Sequence, residues 1–482
     1  MLQTPNNPLG NGENVNVCID GTLVIDQNFN FVNSILFMKP GAQIDVLNGK
    51  KLALVHTALE GCDEMWRGIV VQKGGGVKME HCRVADAQYA VTAHPAENGN
   101  EPIAELTILG NDFDNNFVGL LIPQTPYAKI NAVLSRNVFS GFDELKHPYT
   151  GQSAAPESLP EQNQRALAGM VVNNLGAFSS YDNRFEQLTS GIVNRGSNLT
   201  AHLNDFADIQ TNETLYPAFA PAGIALANYA AGHNVVAATD NTFNDCPMGI
   251  LANLCELKAT GNTLDYVDRG IWASLAGAGG IAIDNNEMAH TQVGILVAHA
   301  HAAGQVSITG NTVKTEVAGN GTGIITLYNH APAVVENNAV TVGKAGLGIS
   351  IYAGKGAQLL ENNIILADQN LAGAGISLTY AQQCLLQDNA ITGAGLGGPG
   401  NIGIEIVASP GNVYCCNTVG NTRLGVSVSG GSLATDNFRG TTFGNHAGSL
   451  YLPNVNAVLG SQSHTQNKWT GTGAAVYGVS QQ

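Results

Sequence analysis

The sequence predicts an all-β chain wound as a single-stranded β-solenoid of roughly 16 coils, with loop insertions on one edge. Three observations predict it. A phrase recurs down most of the chain: Asn, any residue, an apolar residue, a short polar stretch, then Gly and a β-branched residue. It reads Asn241-Thr-Phe with Gly249-Ile, Asn262-Thr-Leu with Gly270-Ile, Asn311-Thr-Val with Gly323-Ile, and Asn417-Thr-Val with Gly425-Val. Most steps between the Gly anchors are roughly 21 to 29 residues, the size of one supersecondary repeat. Only 12% of residues are charged and 58 of 482 are Gly. Ordinary helical domains carry about twice that charge. The repeat around Asn286 and Gly294 reads as two short alternating strands flanking a turn, neither long enough for an ordinary helix.

The elements follow in order. Residues 1–40 form an N-terminal cap and first coil, residues 41–470 the solenoid, and residues 471–482 a C-terminal tail. The cap matters because a solenoid with bare terminal edges polymerises. Two steps are long and mark insertions at about 140–168 and 207–222, rich in Pro and carrying Tyr216 and Phe219. Insertions that fall between the Asn and Gly phrases emerge from one edge, where solenoids usually bind their ligands.

The recurring Asn has a structural explanation. Asn tolerates the left-handed backbone of a sharp turn, and stacked Asn side chains hydrogen-bond along the axis. The ladder candidates are Asn241, Asn262, Asn286, Asn311, Asn338, Asn363, Asn389 and Asn417. The Gly that follows relieves crowding where backbones stack closely.

This pattern resembles the right-handed parallel β-helix proteins of the pectate-lyase-like superfamily, over about residues 20–470. Cys62-Asp-Glu-Met-Trp-Arg-Gly68 looks like the first full coil of such secreted bacterial modules, and Thr442 through Trp469 like their closing segment. The resemblance implies the fold and handedness. It does not select an activity, because one fold hosts lyases, hydrolases, epimerases and adhesins.

The residue after each Gly-plus-apolar pair faces outward by strand alternation. It reads Val70, Leu121, Val171, Val193, Ala225, Leu251, Trp272, Leu296 and Ile325, then turns polar at Ser350, Ser377, Glu405 and Ser427. An exposed apolar stripe of this kind is either covered or used. The expectation is that the insertions cover part of it. Trp272, flanked by Leu251 and Leu296 and joined by Tyr216 and Phe219, then floors a ligand site or a subunit contact.

Asp245, Asp265, Asp268, Arg269, His290, Lys314 and Glu316 lie at the loop edge on consecutive coils. They are the candidate catalytic set. Glycoside hydrolysis needs two carboxylates, and lyase chemistry needs a base and a charge neutraliser. The paired-Asp phrase of the polygalacturonases is missing, and so is an Arg-containing pectate-lyase signature. The enzyme reading therefore stays an alternative. His299, His301 and His330 fall short of a metal-site pattern. Calcium on Asp240, Glu336, Glu361 and Asp388 is weighed against solvated turn acids, and no cofactor is expected.

The net charge of −16, with no Lys/Arg-rich block, argues against nucleic acid and against anionic membranes. No apolar run reaches membrane-spanning length. Met1 to Asn16 carry no signal-peptide core, yet the composition reads as extracellular or cell-surface. The eight Cys show no zinc spacing and read mostly as buried thiols. The leading expectation is a recognition or scaffold module that binds polysaccharide or a surface protein. The alternatives are a polysaccharide lyase or glycoside hydrolase at the loop edge, and an extracellular protein that self-assembles through the apolar column.

Overall fold

The computed structural model describes residues 12–481 except 126–128, 148–164, 211–220, 228–233, 276–278, 302–303, 316–320, 344, 369–372, 397–399, 431, 434–436, 454–457, 460–464 and 471–479. Much of both insertions lies outside the described residues, and so do Tyr216, Phe219 and Glu316. The described residues contain no helix. They form a parallel-strand solenoid of about 15 turns, a right-handed β-helix. Two compact units are present, Met1–Pro247 and Met248–Gln482.

Each coil carries three short strands where the alternation pattern suggested two. In the second unit one coil is Ile281–Asp284, Glu287–Ala289 and Val293–Ala298. These pair in parallel with the next coil through Ile281↔Val306, Glu287↔Thr312 and Ile295↔Ile324. The middle strand escapes a periodicity reading because three residues show only one inward side chain, here Met288. In the first unit the same plan pairs Phe178↔Leu199, Phe185↔Phe206 and Ile192↔Ile224. Alternation sends Ile295 and Val297 inward, both fully buried, and leaves Leu296 on the outside.

The Asn column lies inside the coil, just after the first strand. In the second unit Asn262, Asn286, Asn311, Asn338, Asn362 and Asn389 each donate Nδ2 to Oδ1 of the next Asn at 2.8–3.0 Å, ending at Asn417. The register corrects one candidate: Asn362 occupies the ladder, and Asn363 faces solvent. The first unit carries a ladder of which the repeat phrase gave only Asn241; it runs from Asn111 through Asn137, Asn183 and Asn204 to Asn241. Cys82 occupies the ladder position one coil before Asn111 and donates its backbone N–H to Asn111 Oδ1 at 2.8 Å.

The turn conformation corrects the reasoning as well. The left-handed residue is the one before the ladder Asn, with φ of 55° at Asn285, 55° at Asn337, 53° at Glu361 and 55° at Asp388. The ladder Asn does not supply the turn; its amide satisfies carbonyls that the turn would otherwise strand. Asn311 Nδ2 also donates to Ile283 O at 2.8 Å and Thr309 O at 3.2 Å.

A second internal stack fills the first unit. Phe113, Phe139, Phe185, Phe206 and Phe243 lie face to face with centroids 4.7–5.1 Å apart and planes within 8°. The spacing is that of neighbouring strands, so parallel register alone imposes it.

The Gly of the third strand is fixed by space. A Cβ on Gly294 would stand 2.6 Å from Gly323 O and would also strike Val313 Cγ1. The Gly294→Ala variant should therefore be destabilised by about 1–3 kcal/mol through overpacking. A lowered urea midpoint with an unchanged m-value is the expected reading; an unchanged midpoint would show that the column tolerates a methyl group.

Candidate functional site

The site is built on the outer face of the third strands of the second unit. Parallel register aligns Trp272↔Leu296↔Ile325↔Ser350↔Ser377↔Glu405↔Ser427. Leu251, Trp272, Leu296 and Ile325 are half-buried, while Ser350, Ser377 and Ser427 are buried. In the first unit, Val171, Val193 and Ala225 of the corresponding column are buried. The Trp272 indole N–H is closed to solvent and meets no hydrogen-bond acceptor among the described residues. The Arg269 guanidinium stands 5.0 Å from the centre of the Trp272 ring, in cation–π range.

One edge of this face holds part of the candidate catalytic set. Asp265 pairs with Ala289 in register, which places His290 beside it on the next coil. His290 Nδ1 and Asp265 Oδ1 are 2.7 Å apart. The rings of Tyr266 and His290 stack at 4.3 Å with planes 2° apart. Both residues sit in left-handed turns, at φ 51° and 52°. Asp268 and Arg269 are exposed beside them, and Gln292 donates its backbone N–H to Asp268 O at 3.0 Å. Lys314 is exposed on Thr312–Thr315, and Asp245 belongs to the first unit.

The opposite edge carries aromatic residues that sequence reasoning missed. His299, Tyr328 and Tyr380 occupy the left-handed turn after the third strand, and Tyr352 ends the third strand of the intervening coil. His299 stacks on Tyr328 at 5.2 Å, Tyr328 meets Tyr352 edge-on at 5.1 Å, and Tyr352 meets Tyr380 edge-on at 5.9 Å. Tyr328 is 45% exposed and Tyr380 55%. A hydrogen bond with the Tyr328 hydroxyl holds the Tyr352 phenol above its ordinary pKa. The signal was present as Leu327-Tyr328, Ile351-Tyr352 and Thr379-Tyr380, one coil apart. It becomes visible only when the last residue of each third strand and the one after it are tracked.

Among the described residues no three of His, Cys, Asp and Glu converge as a metal group would require. His299 is engaged with Tyr328, and the His330 backbone N–H donates to Ala300 O. The eight Cys are unbridged. Four are buried, and burial pushes the Cys246 and Cys255 thiols up to about 12. The Sγ atoms of adjacent Cys415 and Cys416 lie 2.9 Å apart. Among the described residues no helix is long and apolar enough to cross a membrane.

No curated protein matches the chain. Solved structures are similar to it at low identity. The A-module of the Azotobacter vinelandii mannuronan C-5 epimerase AlgE6 is 11% identical, covering 92% of this chain and 89% of that chain at a TM-score of 0.25. The periplasmic alginate epimerase AlgG is 9% identical, with 91% and 76% covered at 0.23. The alginate lyase AlyF-OU02 in complex with G6 is 11% identical, with 98% and 83% covered at 0.22. Likeness at this level says nothing of activity. The family described as "Periplasmic copper-binding protein (NosD)" matches residues 207–354 and 274–479. These two matches together span more than half of the sequence, and the chain belongs to the NosD family of right-handed β-helix proteins.

Proposed function

We propose that this chain is a recognition module that works outside the cytoplasm and binds an extended polysaccharide along the outer face of its second unit. The observation that carries the reading is the row His299, Tyr328, Tyr352 and Tyr380. It presents ring surface and phenol hydroxyls on successive coils, the combination that stacks on sugar faces and hydrogen-bonds their rims. The periplasmic description of the family supports the location.

The test is a Tyr328→Ala, Tyr380→Ala double variant assayed by calorimetry against a panel of oligosaccharides. Loss of about 1 kcal/mol per stacked ring predicts an affinity drop of about thirtyfold. The melting temperature should hold, because both rings are exposed. A lowered melting temperature with unchanged affinity would assign the row to coil stability instead.

A second reading rests on the His290–Asp265 contact. A carboxylate 2.7 Å from one ring nitrogen orients an imidazole for proton transfer. Glycan cleavage or epimerisation that falls on the order of a hundredfold in His290→Gln, with binding retained, would support it.

The family's description names copper, and copper is held by grouped His, Cys or Met side chains. Among the described residues no three of His, Cys, Asp and Glu come together, and Cys415 with Cys416 supplies two sulfurs only. The described residues do not fit a copper centre, so no step is assigned to the metal.

A further inference from the structure

We propose that this face selects an uncharged glycan and rejects a uronate polymer, and that Glu405 sets the preference. The inference rests on the polysaccharide reading above. It comes from the charges that the register places on the face. Six successive third strands, from Val293–Ala298 to Leu424–Ser429, hold one charged residue between them, Glu405. Its neighbours in the outward column are Ser377 and Ser427, and one coil further lies Ser350. Ser377 Oγ donates to Glu405 Oε2 at 3.1 Å, so one oxygen of the carboxylate is already held in place.

The serines themselves are buried, so the half-buried Glu405, fixed by Ser377, is the group of the strip that can accept from sugar O–H donors. Such a strip completes the aromatic edge: Tyr352 lies two residues after Ser350 on the same strand and the same face. A neutral chain that runs along the coils stacks at the edge and hydrogen-bonds Glu405. A uronate chain brings a carboxylate to each sugar, and in this register one of them faces Glu405 across a half-buried surface with no cation on those six strands. Like charges about 5 Å apart in such a setting cost enough to weaken binding on the order of a hundredfold. The net charge of −16 adds a longer-range repulsion that salt screens.

The test measures binding of the full chain and of Glu405→Gln by calorimetry, at low and at high ionic strength. The probes are cello- and xylo-hexasaccharides against mannuronate and galacturonate hexasaccharides. The expected result is that neutral probes bind with little salt dependence and uronates bind at least about tenfold more weakly, and that Glu405→Gln narrows the gap to about threefold or less. Uronates that bind the native chain as tightly as neutral probes would overturn the inference, as would a gap that Glu405→Gln leaves unchanged. The Tyr328→Ala, Tyr380→Ala variant separates the two readings. If that variant loses uronate binding, the face is a glycan site and only the selectivity is wrong. If no probe of either class binds the native chain, both readings fall.

Discussion

Replacing Asn362 by Leu is expected to lower the unfolding free energy by about 3–5 kcal/mol, while Leu at Asn363 costs less than about 0.5 kcal/mol. The two residues are adjacent and chemically identical, so position alone separates them. Asn362 is 1% exposed. Its Nδ2 donates to Val335 O at 2.8 Å and to Asn389 Oδ1 at 2.9 Å. Its Oδ1 accepts the backbone N–H of Asn338 at 3.1 Å and the Asn338 amide at 2.9 Å. A Leu side chain fits the space poorly and leaves buried donors and acceptors unpaired on both neighbouring coils, each at about 1–3 kcal/mol. Asn363 points to solvent and loses nothing comparable. Urea denaturation followed by circular dichroism reads both variants. Equal effects at the two positions would remove the ladder from the account of stability.

Phe206→Ala is expected to be as damaging, at about 3–5 kcal/mol. Phe206 is fully buried between Phe185 at 4.9 Å and Phe243 at 4.8 Å. Neighbouring strands hold the coils at a fixed separation, so the gap left by the ring cannot close by collapse. The cost should sit near the top of the large-to-small range. Phe206→Leu should recover part of it. Recovery to native stability would mean that ring stacking adds nothing beyond volume.

The architecture was legible because the repeat constrains it many times over. The Asn and Gly phrases each recur on successive coils, and any one misreading is corrected by its neighbours. What local reading missed was set by neighbouring coils. At Glu361-Asn362-Asn363 the left-handed position falls on Glu, a residue with little preference for it, so residue type alone favoured the wrong Asn. Arg136, Leu203 and Cys416 take the same conformation at φ 57°, 55° and 60°. These turns are imposed by the stacked coils on either side. The site follows the same logic. Asp265 and His290 were identifiable as single polar residues, and coil stacking brings them together. The aromatic row was overlooked because its members lie roughly 25 residues apart and have no shared local motif.

The column of third-strand glycines has a consequence for how such a chain changes length. A Cβ at Gly294, Gly323 or Gly425 would collide with the carbonyl of the following coil at 2.6 Å. The inner wall therefore works like a ratchet whose teeth are one coil apart. Adding or removing a single residue inside the third strand itself would set a side chain against a tooth and turn the inward residues beyond it outward. The stretch between the Asn and the Gly takes extra residues readily: Gly294 lies eight positions after Asn286, and Gly323 twelve after Asn311. Heritable lengthening or shortening of the molecule is thus confined to whole coils or to the loops between them.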